Sequence, residues 1–201
     1  MTSRTFRQDS RPRQDGLAID GDSRFLWRFP PRRLEAEAIR DAICSTSGVM
    51  DLAMGGPGFS GFDIKKRADI EFLPRTTYSP EDFRRMIYMT RIRQEAEPVF
   101  GLFDCPDATQ VMGRRGQTTT ALQAFNLSNS AFVVQQSRLM ADRLDRHTTG
   151  HREAVALAYR ITFGRNAGLE ELEKAVDFSE GEGLWMFCRA LFNANEFLTI
   201  P

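Results

Sequence analysis

Lysine is nearly absent from this chain: of 27 basic residues only Lys65, Lys66 and Lys174 are not arginine. No sign of charge predominates, with 27 basic against 27 acidic residues. That removes the basic excess of a dedicated nucleic-acid binder, so no nucleic-acid partner is expected. Cysteine is scarce. Cys44, Cys105 and Cys188 lie far apart, with no C-x-x-C and no histidine at ligand spacing. This argues against a disulfide framework and a zinc site. The missing C-x-x-C-H removes covalent haem, so no cofactor is expected in this chain. The two histidines, His147 and His151, are separated by Thr-Thr-Gly, which breaks any shared helix face, so metal ligation is not expected. No apolar run reaches the roughly 18–20 residues of a membrane span, and nothing at the start reads as a secretory h-region. Neither a Ser-His-Asp order, a G-x-S-x-G elbow nor a glycosidase-like carboxylate pair rises above chance.

What is present fits 201 residues of mainly α protein, enough to bury roughly two thirds of the unfolded surface without covalent staples. Residues 1–23 are polar, Arg-rich and aperiodic, and read as a flexible lead-in to a single domain over 24–201. Leu34, Ala38, Ile39, Ala42 and Ile43 recur at helical spacing up to Gly48, with Pro30-Pro31 suited to a first turn. A long loop follows, with a short strand expected around Ile70–Leu73. Ser79-Pro80-Glu81-Asp82 starts what reads as a helix to about Glu95, although alternation through Tyr88, Thr90 and Ile92 also suits a strand. Residues 99–117 read as loop. The strongest helical signals run over 118–198, in short helices joined by brief turns. The expected fold is therefore a bundle-like helical domain with long irregular loops in its N-terminal half.

The best local candidate site is Gly113-Arg114-Arg115-Gly116-Gln117-Thr118-Thr119-Thr120. Guanidinium forks, backbone amides and hydroxyls at a helix start suit an anion, so Arg114, Arg115, Gln117, Thr118 and Thr119 are candidate anion-binding residues. The two-residue gap between glycines and the lack of Lys exclude a Walker A loop. The alternative is that Thr118 or Thr119 caps the helix while the arginines pair with Asp104 or Asp107. Those two acids are in turn the candidates for acid/base chemistry. Cys105, between them, is expected to be a poor thiolate, its pKa raised by flanking carboxylates. Cys44 and Cys188 fall in apolar helical patterns, as core residues do. Charge is unevenly placed: residues 166–201 carry a net −5, leaving +5 on the rest, which suits docking to a charged neighbour. Phe25, Trp27, Phe29 and the segment Val99–Phe103 are expected to expose an apolar patch, and so to drive self-association or cover by a partner.

The chain resembles a C-terminal domain of unknown function found in planctomycete cytochrome c-type multidomain proteins. The resemblance rests on Leu26-Trp27-Arg28-Phe29-Pro30, Met54-Gly55-Gly56-Pro57, Phe103-Asp104-Cys105-Pro106-Asp107, the stretch from Gln117 to Asn129, Tyr159–Arg165 and Leu191–Leu198. Such proteins are usually secreted and carry a haem domain upstream. The resemblance implies an accessory role beside polysaccharide degradation, with a neighbouring domain or an anionic, often sulfated, glycan as partner. It transfers no catalytic residue. The chain lacks the haem motif and a secretion signal, so it resembles only the tail of such a protein and is expected in the cytoplasm if expressed as given. Ala121 also replaces a Pro usual after the threonines. A non-catalytic interaction module is the first expectation. A glycan-active hydrolase using Asp104 and Asp107, with Arg114 and Arg115 as anion site, is the second.

Overall fold

The computed structural model describes residues 3–5, 7–66, 70–93, 95–106, 108–109, 111, 113 and 115–200. Asp107 and Arg114 thus lie outside the described residues. Among those described, the fold is mainly α: eight helices with two small sheets.

The helical periodicity of the C-terminal half becomes five helices in succession. They are α3 (Ala121–Asn129), α4 (Ala131–His147), α5 (His151–Phe163), α6 (Leu169–Glu182) and α7 (Leu184–Phe192), followed by the single turn α8 (Asn195–Leu198). Helix α4 is the axis. Its Phe132, Val133, Met140 and Leu144 are buried against α2 (Ala36–Ser47) on one side and α7 on the other. Helix α2 ends where Gly48 turns left-handed (φ 83), a backbone state that costs glycine nothing and lets its amide close onto Cys44 and Ser45. Cys44 and Cys188 are fully buried among these helices. One continuous apolar cluster runs from Ala36 to Leu198.

The N-terminal half departs from the sequence expectation in several places. Pro30-Pro31 does not start the helix. The next two residues form strand β1 (Arg32–Arg33), which pairs antiparallel with β4 (Thr199–Ile200), and α2 begins only at Ala36. Within residues 1–23 a short helix α1 (Gln14–Ile19) packs Gly16 under the Trp27 ring, whose indole N–H donates to the Asp20 carbonyl. The strand expected near Ile70 is present as β3 (Ile70–Pro74), but it belongs to a hairpin with β2 (Phe62–Lys66). The segment 80–95 is neither a long helix nor a strand. It breaks into 3-10 turns at Pro80–Phe83 and Met86–Tyr88. The reason is a buried arginine framework. Arg40 of α2, 1% exposed, donates to the carbonyls of Asp82 and Arg84 while its guanidinium lies between the rings of Phe59 and Phe132. Arg84 in turn collects the carbonyls of Ala53, Gly55 and Pro57 and stacks 4.0 Å from the Tyr88 ring.

The expected apolar patch is largely absent. Val99, Phe100 and Phe103 are core residues, and Phe100 meets Phe132 edge-on. Glu97 folds this turn by accepting the Val99 and Phe100 amides. Trp27 and Phe29 are half-buried, which leaves Phe25 and Leu102 exposed from that set.

Candidate functional site

The candidate residues that are described gather where β1, the start of α2, the turn at 97–105 and the extended stretch 115–120 meet. Asp104 sits in the left-handed region (φ 56), which a short polar side chain tolerates better than most. Its carboxylate accepts from Thr118 twice, from the backbone N–H at 2.7 Å and from the hydroxyl at 3.0 Å. Asp104 thus clamps Thr118, and of the two arginines expected to pair with it or with Asp107 the described one, Arg115, pairs elsewhere. Helix α3 is capped neither by Thr118 nor by Thr119 but by Thr120, in a reciprocal box with Gln123. Gln123, 1% exposed, also donates to the Leu102 carbonyl and to the Thr118 hydroxyl.

Arg115 is half-exposed and doubly paired, 2.7 Å from Glu37 and 3.2 Å from Glu35. Burial alone would raise the Glu37 pKa. The hydrogen bond from Arg115, with the charges of Arg115 and Arg91, overrides it and holds the carboxyl below its ordinary value. The same bond raises the Arg115 pKa. Arg33 donates to the Thr118 carbonyl and the Thr119 hydroxyl, both at 3.1 Å, and lies over the Phe103 ring at 5.2 Å. Burial lowers its pKa while the Asp104 charge opposes the shift. Gln117 is exposed at the rim. Arg33, Glu35, Phe103, Asp104 and Arg115 line a cavity of about 20 Å³, room for about one water molecule.

Cys105 lies half-buried behind this cluster, 2.7 Å from an Arg91 nitrogen and 3.7 Å from Glu37. Its thiol is pushed up to about 11, chiefly by burial, with Glu37 adding to the rise and Arg91 opposing it. The poor thiolate is as expected, but its main cause is burial rather than flanking carboxylates. The two histidines part company: His147 ends α4 exposed, while His151 opens α5 with Nδ1 3.0 Å from the buried Ser179 hydroxyl. Among the described residues no group of three or more His, Cys, Asp or Glu is placed to hold a metal ion, and no helix is long and apolar enough to cross a membrane.

Sequence reasoning brought Asp104, Arg115, Thr118 and Thr119 to one corner but missed Arg33, Glu35, Glu37, Arg91 and Gln123. The last had a readable signal, since T-x-x-Q is a capping-box spacing. Arg33, Glu35 and Glu37 meet partners 68–86 residues away along the chain and Arg91 meets Cys105 across 14, and no local pattern announces them.

No curated protein and no solved structure matches this chain. A family model, described as PSD1, a protein of unknown function (DUF1553), matches residues 1–179, from the first residue into α6 and through the whole clamp just described. With most of its length matched, the chain belongs to the PSD1 (DUF1553) family, whose function is unknown.

Proposed function

We propose that this domain is a non-catalytic accessory module that docks on a neighbouring domain or a protein partner. Its setting would be that of the planctomycete cytochrome c-type proteins its motifs resemble, beside the breakdown of anionic polysaccharides. One observation carries the reading: among the described residues, the candidate polar side chains are engaged with one another. Asp104 is held by Thr118, Arg115 by Glu35 and Glu37, and Arg33 by Thr118 and Thr119, around a space of about 20 Å³. A general acid must reach a substrate oxygen within hydrogen-bond distance, and the adjoining open concavity of about 260 Å³ along Arg32, Arg33, Glu35 and Gln117 is lined by neither Asp104 nor Arg115. The clamp instead ties β1, α2 and the approach to α3 together.

The test is an assay of the purified chain for turnover of glycans, esters and phosphate esters, beside titration with sulfated oligosaccharide. No turnover is expected, and Arg115→Ala is expected to lower the denaturation midpoint without changing oligosaccharide affinity. Turnover that disappears in Asp104→Asn or Asp107→Asn would replace this reading with the hydrolase one. Oligosaccharide binding lost in Arg115→Ala would replace it with an anion-binding one.

A further inference from the structure

Two open concavities of about 660 and 630 Å³ meet at Ile161 on the outer side of α5. The first is lined by the apolar Ala156, Leu157 and Ile161, by the basic Arg143 and Arg160 with His147, and by the acid Glu153, whose carboxylate is taken up by the Thr149 amide and hydroxyl. Arg160 is exposed and has no ion pair among the described residues. Arg143 donates through Nη1 to the carbonyls of Ser45 and Thr46 and has no carboxylate partner among the described residues. The complement of this groove lies in the same sequence. Glu173, Asp177 and Glu180 stand at i, i+4 and i+7 along α6, exposed and without ion pairs among the described residues. Leu169, one turn before Glu173 on the same stripe, is 75% exposed.

We infer that α6 of a second copy of this chain seats in the groove, Leu169 against Leu157 and Ile161, the acid stripe against Arg143 and Arg160. An apolar anchor and a stripe of acids on one helix meet apolar residues and arginines in the groove. The fit in length is also good: α5 has 13 residues and α6 has 14, each about 20 Å at the α-helical rise. The net −5 of residues 166–201, set against +5 elsewhere, favours a copy of this chain over a basic or neutral occupant. Each copy offers both surfaces, so a pair can engage twice and double the buried area. This assembly rests on the interaction-module reading above and names one surface that serves it.

Sedimentation equilibrium of the full chain at rising concentration tests it. At low salt the average mass should climb above that of the monomer, and about 0.5 M salt should reverse the climb, since the contact is charge-steered. Arg160→Glu and Asp177→Arg should each weaken association roughly tenfold or more. Mixing these two variants should restore it, because the reversed charges meet across one of the two contacts. Both positions are exposed, and an unchanged circular dichroism spectrum identifies folded variants. A strictly monomeric wild type at low salt overturns the proposal, as does association indifferent to both reversals or a mixture that stays monomeric. None of these results bears on the module reading itself, which the turnover assay decides separately.

Discussion

Glu97 shows how burial and hydrogen bonding compete at a single carboxyl group. It is 9% exposed and accepts the Val99 and Phe100 amides, which favour its charged form. Burial prevails, and its pKa is raised above 4.5 despite those bonds and the charges of Arg91 and Arg40. A carboxyl whose folded pKa lies above its unfolded one favours folding when protonated. Its contribution is fully present below the unfolded value and is lost as pH rises through the folded one. Glu97→Gln keeps an acceptor for the two amides and removes the charge. Urea denaturation should therefore show the variant's midpoint equal to wild type near pH 4 and higher near pH 8. A midpoint lowered equally at both values would mean that the charge helps the turn instead. Arg40 is the opposite case. It is a buried cation held by two carbonyls and two aromatic faces, and these make its burial tolerable.

Among the elements, those that bury a stripe of their own were legible, and those held by distant side chains were not. Helices α4, α5 and α7 each place apolar residues at three- and four-residue intervals, so their pattern and their packing agree, whereas α3 exposes the apolar Leu122 and Phe125 and buries Gln123. The 3-10 turns at 80–88 owe their shape to Arg40 and Arg84, and β1 owes its strand to residues at the other end of the chain. Neither cause lies within a sequence window. The candidate site divides the same way: the residues of 104–119 were found because they are adjacent, and their partners on β1 and α2 were not. Gly48 is an element boundary at which both levels meet. Its φ of 83 penalises any side chain, and a Cβ there would stand 2.9 Å from Cδ of Arg143, whose guanidinium caps the last carbonyls of α2. Gly48→Ala should cost about 1 kcal/mol or more from the left-handed backbone alone. Displacing Arg143 adds to that, so Gly48→Ala with Arg143→Ala should cost less than the sum of the two single changes. Strict additivity in denaturant titrations would show that the crowding does not matter.

For the whole molecule, the decisive feature is that the chain's two halves are closed on each other at their far ends. β1 pairs Arg32 with Ile200 and Arg33 with Thr199, and the Leu34 amide extends the pairing to the Leu198 carbonyl at 2.8 Å. Phe197 and Leu198 are buried in the same cluster as Ala36 and Ile39. The clamp of Arg33 on Thr118 and Thr119 begins on this strand, so the polar corner depends on a pairing made by the last residues. Ending the chain at Leu198 leaves the buried anchors in place and removes only the strand partner. About two ladder hydrogen bonds at ~1 kcal/mol each are then lost, and Arg33 is freed from its register. A melting temperature lower by roughly 4–8 °C follows for a domain of this size. Hydrogen exchange should show the same change locally, with protection lost at Arg32 and Arg33 and in part at Thr118, while α4 and α7 exchange as in the full chain. Loss of protection across α4 as well would mean that the end pairing holds the helical core itself. Unchanged protection at Arg33 would mean that the clamp on Thr118 and Thr119 keeps the strand in place without its partner.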